Sequence, residues 1–150
     1  MNTNKDLIEK YTMVADNFCK QAYSRGGEAS KLEHEIIKCC ETIIDLDIHN
    51  VNAYYKLGNA LIRLGNYEKA FEYIDKVIQL DSKLPDSFYA YVYNSRGVIK
   101  GQQRDYRGAL RDFETAIDLS ADDAVVIKNI NRVQLVMEHR LPNYSFSIHK

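Results

Sequence analysis

The chain has 150 residues, enough for one domain with a real core, and its 45% apolar and 27% charged residues are those of an ordinary folded protein. A formal charge of −1 leaves no overall positive field to hold a nucleic acid or an anionic membrane, so neither is expected as a partner. Three cysteines, Cys19, Cys39 and Cys40, form no paired spacing for a disulfide framework, and no run is apolar enough for a signal peptide or a membrane span; a cytoplasmic setting is the expectation.

Residues 4–50 read as two helices. The first runs from Asn4 to about Tyr23, with Tyr11, Val14, Ala15 and Phe18 on its apolar face. A connection through Ser24-Arg25-Gly26-Gly27-Glu28 leads to a second, in the tract IIKCCETIIDLD. That tract aligns with AFEYIDKVIQLD further on, placing Ile37 on Phe71, Cys40 on Ile74 and Leu46 on Leu80.

Next comes an internal repeat. Val51–Leu84 and Ala90–Asp123, 34 residues each, superpose with Tyr54 on Tyr93, Gly58 on Gly97, Tyr67 on Tyr106 and Ala70 on Ala109. Ile74 falls on Phe113, Val77 on Ala116, Ile78 on Ile117 and Leu80 on Leu119. In the upper copy Tyr54, Leu57, Gly58 and Leu61 lie on one helical face. Leu64-Gly65-Asn66 breaks the pattern, with Gly65 suited to a left-handed helix end and Asn66 to capping the next helix. A second stripe follows at Ala70, Ile74 and Val77. The lower copy breaks at Arg104-Asp105, with Asp105 as the analogous cap. Each copy is therefore two antiparallel helices, and Gly58, Ala70, Gly97 and Ala109 let their backbones approach closely. The five residues Pro85–Tyr89 between the copies extend the next helix and, with Tyr91 and Tyr93, form an aromatic lip.

Residues 124–140 carry one more stripe, Val126, Ile130, Val133 and Met137, and read as the capping helix a stacked array requires. Asn131 stands where both repeats have glycine, and Pro142 ends the helix before a tail, residues 141–150. Val125, Leu135 and Val136, with Leu141, Tyr144, Phe146 and Ile148 of the tail, are more apolar than a solvated end needs. Either the tail covers this patch or the patch forms a homodimer.

On Tyr54, Leu57, Gly58, Ala70 and Leu80-Asp81, and on Tyr93, Gly97, Ala109, Phe113 and Ala116, the sequence resembles the tetratricopeptide repeat family. It departs at Arg96 and Lys100, which replace core residues, and at Ser82 and Ala121, which replace the closing proline. The resemblance implies an all-α fold: a right-handed superhelix of antiparallel helix pairs in a single domain. That domain divides into a divergent repeat (4–50), repeats 51–84 and 90–123, the capping helix 124–140 and the tail. It also implies a concave face that binds a protein or peptide. Carried onto this chain, the groove positions are Asn52, Tyr55, Asn59, Ile62 and Arg63, then Tyr91, Asn94, Val98 and Gln102. The cap adds Lys128, Arg132 and Leu135, and the first repeat adds Thr12, Asp16 and Lys20. Asparagine amides pair with extended backbone, and Lys128 with Arg132 suits a carboxylate. One branch of the family grips chaperone tails with two lysines, two asparagines and an arginine. Of that set only Asn59 is present, with Tyr55, Ser95, Val125 and Asn129 at the other positions.

No catalytic motif is complete. His34-Glu35-Ile36-Ile37 begins like a zinc-protease helix, but Lys38 stands where the second histidine belongs. Adjacent Cys39 and Cys40 point in different directions on a helix, and Cys40 falls on core positions. Ser24-Arg25-Gly26-Gly27 and Lys31 lack phosphate-loop spacing; His139 and His149 have no evident acid or nucleophile partner; Asp122-Asp123 suits helix capping. The expectation is a protein-binding scaffold or adaptor with no cofactor, no metal and no enzymatic activity. The alternative is a dedicated chaperone or immunity-type neutralising protein for a secreted effector or toxin, contacting through the lip and cap.

Overall fold

The computed structural model describes residues 3–24, 29–80, 83–120 and 123–140. Among them are seven helices: α1 (Asn4–Ser24), α2 (Ala29–Leu46), α3 (Val51–Arg63), α4 (Tyr67–Gln79), α5 (Asp86–Gln102), α6 (Tyr106–Leu119) and α7 (Ala124–Arg140). Arg25–Glu28, Ser82, Ala121, Asp122 and the tail from Leu141, with His149, lie outside the described residues. The chain divides into two compact units, Met1–Ser82 and Lys83–Lys150.

In the first unit α1 packs on α2, α2 on α3 and α3 on α4. Ala15, Ile36, Cys40, Leu57, Ile74 and Val77 are almost fully buried. In the second unit α5 packs on α6, α6 on α7, and α5 more lightly on α7. Its core gathers Ala109, Leu110, Phe113 and Ala116 of α6 with Val126, Val133 and Met137 of α7.

The helix ends follow the local chemistry read from the sequence. Asn50 caps α3 by accepting from the Ala53 amide at 3.1 Å, and Asn66 caps α4 by accepting from Lys69 at 3.4 Å. Asp105 caps α6 by accepting from Gly108 at 2.9 Å. Between α3 and α4 the backbone turns through a left-handed residue, Gly65, at φ 76°. The equivalent position between α5 and α6 is Arg104, at φ 69°. The turn geometry thus persists where glycine does not, at the steric cost any side chain meets there. The extra residues before the lower copy lengthen α5, which begins at Asp86 and has 17 residues against 13 in α3.

Gly58 and Gly97 sit at tight helix crossings. A Cβ on Gly58 would lie 2.6 Å from Ile74 Cδ1, and one on Gly97 2.6 Å from Phe113 Cε1. Each glycine therefore receives the large residue of the partner helix, one turn from the small Ala70 or Ala109. Both alanines are fully buried.

Candidate functional site

In the first unit the expected groove residues meet a layer of ion pairs. Lys56 of α3 reaches Asp16 of α1 at 2.5 Å. Arg63, at the end of α3, holds Glu33 of α2 with both arms of its guanidinium, Nε to Oε1 at 2.5 Å and Nη2 to Oε2 at 2.8 Å. Glu33 is only 1% exposed, so the pair is a strut between helices and the guanidinium is already committed. Burial pushes the half-buried Cys19 thiol above its ordinary range, while Arg63 and Lys56 pull the other way. Asn52 and Lys20 are exposed; Tyr55, Asn59, Ile62 and Thr12 are half-buried, and neither Tyr55 nor Asn59 is free of interactions.

In the second unit Asn94, Val98, Gln102 and Arg132, of the expected residues, come together at a trough between α5 and α7. Tyr91 is exposed on α5, one turn before Asn94. Asn129 Nδ2 of α7 donates to Asn94 Oδ1 of α5 at 3.0 Å, a bridge across the trough. That bond uses one donor and one acceptor, so the Asn94 amide NH2 and the Asn129 carbonyl keep capacity for a ligand backbone. Beyond the bridge lies a hollow of about 190 Å³. Its floor is Gly97, Gly101, Phe113 and Val133, and its walls are Val98 and Val136. Gln102, Tyr106, Asn129 and Arg132 form the rim. Arg132 and Lys128, one turn apart on α7, are exposed and have no ion-pair partner among the described residues. Val125 and Leu135 stand exposed on the same helix, at 61% and 57%.

Sequence reasoning brought Asn94, Val98, Gln102 and Arg132 to this place and missed Asn129, Gly101 and Val136. A signal for the hollow was present: Gly101 falls where the upper copy has Ile62, removing a branched side chain from its lining. A larger hollow, about 410 Å³, lies in the first unit between α2, α3 and α4 over Ile37, Leu57, Leu61 and Leu64. Its rim mixes Glu41 with Lys69, and it gathers none of the expected groove residues.

Arg96 and Lys100, two of the lower copy's departures from the repeat pattern, have a common partner. Asp112, 4% exposed, accepts from Arg96 Nε and Nη2 at 2.9 Å each and pairs with Lys100 Nζ at 2.8 Å. The Arg96 guanidinium also lies 5.2 Å from the centre of the Tyr93 ring. Burial pushes the Cys40 thiol up to about 12 from an ordinary 9.0 and raises Cys39 as well, so both stay protonated and poorly nucleophilic near neutrality. Among the described residues no three His, Cys, Asp or Glu side chains are grouped to share a metal ion, and no helix is long and apolar enough to cross a membrane.

Residues 50–122 match the tetratricopeptide repeat family model. The fold is similar to the first such domain of Spaghetti (RPAP3), solved with the HSP90 peptide SRMEEVD: TM-score 0.71, 17% identity, covering 87% of this chain and 92% of that one. It is similar to the second such domain of human RPAP3, solved with the HSP70 peptide SGPTIEEVD, at TM-score 0.71 and 17% identity over 88% and 98% of the two chains. The Arabidopsis OM64 domain matches at TM-score 0.74 and 18% identity, covering 89% of this chain and 99% of that one. An all-α helical-repeat fold, two glycine-centred helix hairpins and a family match at the same residues lead to one assignment: residues 50–122 of the chain are tetratricopeptide repeats.

Proposed function

We propose that the chain is a non-catalytic adaptor that holds an extended segment of a partner protein along the α5–α7 trough. The observation that carries this reading is the Asn94–Asn129 bridge beside an open hollow, with Gln102 and Arg132 on the rim. A preformed trough on two packed helices loses little entropy when a segment enters, and amides on both walls suit a peptide backbone. Peptides held by similar domains in other proteins lend support. The chaperone-tail set of side chains is replaced here except at Asn59, so a different partner sequence is proposed.

The test is affinity purification from the native cell with peptide mapping of what is recovered. Replacing Asn94 and Gln102 together by alanine is expected to cut recovery of the mapped segment about tenfold, equivalent to ~1.4 kcal/mol, with the melting temperature little changed. Equal recovery on wild type and variant defeats the assignment.

The exposed Val125 and Leu135 favour a second reading, a dedicated chaperone or neutralising protein whose folded client covers the outer side of α7. One abundant partner lost with Leu135→Asp but retained with the double alanine variant selects it.

A further inference from the structure

The hollow over Ile37, Leu57, Leu61 and Leu64 in the first unit shares no residue with the α5–α7 trough. α3 packs on both α2 and α4, so its leucines form the floor and the two helices the banks. Leu57 and Leu61 are buried, while Glu41 of α2 and Lys69 of α4 stand exposed on the rim. Neither charge has an ion-pair partner among the described residues, and they do not reach each other across the opening. In the lower copy Leu57, Leu61 and Tyr73, all in the lining, are replaced by Arg96, Lys100 and Asp112, where both cations bond to the acid. The hairpin thus folds without apolar residues at these positions. Apolar side chains around open space forgo the contacts that a filled site would give them.

Floor and rim restrict the occupant. About 410 Å³ is over twice the ~150 Å³ that holds one benzene-sized group, so two large apolar side chains have room. The side chains of Ile37, Leu57, Leu61 and Leu64 offer no hydrogen bond, so an extended segment would lay its backbone N–H and C=O groups on a floor that cannot pair them. A helix pairs its own backbone and sets apolar side chains one turn apart on one face. We infer that the hollow seats an amphipathic helix of a partner protein. Two large apolar residues, three or four positions apart, enter over Leu57 and Leu61, with a basic residue facing Glu41 and an acidic one facing Lys69. This interaction surface does not depend on the trough in the second unit.

Two phage libraries are selected in parallel on the full chain. One presents a randomised helix on a rigid three-helix scaffold; the other presents linear peptides with proline at every third position, which cannot form a helix. Enrichment is expected from the helical library alone, in winners with two large apolar residues one turn apart, an acid on one flank and a base on the other.

Ile37→Trp, which fills the hollow from its bank, should weaken those winners at least tenfold, with helical circular dichroism showing that the variant is folded. Lys69→Glu, an exposed change, should weaken them about fivefold. On the double variant Glu41→Lys with Lys69→Glu, winners whose flanking charges are exchanged should recover. Replacing Asn94 and Gln102 by alanine should leave all of them unchanged. Winners from the linear library alone, winners without the pattern, or winners indifferent to both Ile37→Trp and the charge swap overturn the inference and leave the adaptor reading standing, as does no enrichment in either library. A dimer of the chain in sedimentation that Ile37→Trp dissolves makes a second copy the occupant, and overturns it too.

Discussion

Two glycines one turn apart in α5 should respond to alanine with opposite signs. Both substitutions gain about 1 kcal/mol of intrinsic helix stability, so that contribution cancels in the comparison. The difference is steric. At position 97 the new methyl would lie 2.6, 2.7 and 3.0 Å from three ring carbons of Phe113. Carbon atoms rest at about 3.5–4.0 Å, so the ring must retreat by roughly 1 Å. Phe113 is 1% exposed and cannot swing into solvent. Overpacking of this kind costs about 1–3 kcal/mol, and a fully trapped ring falls in the upper half of that range. Gly97→Ala should therefore destabilise by about 1–2 kcal/mol net. At position 101 the contacts are already of ordinary length, and Gly101→Ala should stabilise by about 0.5–1 kcal/mol. For a chain of this size the melting temperatures should part by several degrees, at roughly 2–4 °C per kcal/mol. Urea unfolding followed by helical circular dichroism measures both, with unchanged slopes as the check that only stability moved. Shifts in the same direction would refute the claim that Phe113 alone dictates which glycine is required.

Arg104 holds a left-handed conformation at the position occupied by Gly65 in the preceding turn, so Arg104→Gly should stabilise by about 1 kcal/mol in the same unfolding assay. Destabilisation would mean that the arginine side chain holds a contact worth more than the backbone relief. Asp112→Asn should destabilise by about 2–4 kcal/mol, somewhat under the range for a fully buried pair because Arg96 and Lys100 keep 18% and 19% exposure. The triple change Arg96→Leu, Lys100→Leu and Asp112→Tyr, copying Leu57, Leu61 and Tyr73, should restore stability to near wild type, and a triple variant as unstable as the single one would sink the argument.

Local features were the legible part of this molecule. The caps Asn66 and Asp105, the turn at Gly65, the glycines at both crossings and the core place of Cys40 each follow from a residue and its near neighbours. Pairings between helices were not legible, because helical period says which face a residue occupies and not what lies opposite. Glu33 looks like a surface acid in its own helix, yet it is buried under Arg63, thirty positions along the chain. From sequence Arg63 accordingly reads as a peptide contact, while in the structure its guanidinium is engaged within the fold. Asn129 reads from the sequence only as a replaced clamp position, since nothing in α7 alone points to Asn94. Arg96 and Lys100 registered as two separate departures because their shared acid lies in the next helix.

Those three charges give a physical reason why two similar hairpins do not exchange helices. In the upper copy Tyr54 stacks on Tyr73 with ring centres 6.1 Å apart, beside buried Leu57 and Leu61. In the lower copy the same four positions are Tyr93, Asp112, Arg96 and Lys100. Either set closes on itself, one by apolar burial and one by charge, and a buried ion cluster is often no more stable than the hydrophobic set it replaces. The two sets differ in what they tolerate opposite them. Were α3 to pair with α6, Asp112 would be buried against Leu57 and Leu61 with no cation, and in the complementary pairing Arg96 and Lys100 would face Tyr73 with no acid. An uncompensated buried charge costs about 3–5 kcal/mol, so the crossed arrangement is penalised in both hairpins at once. The departures from the repeat pattern therefore come as a set: any one alone would destabilise its own hairpin, and together they cost that hairpin little while making it the wrong partner for its neighbour.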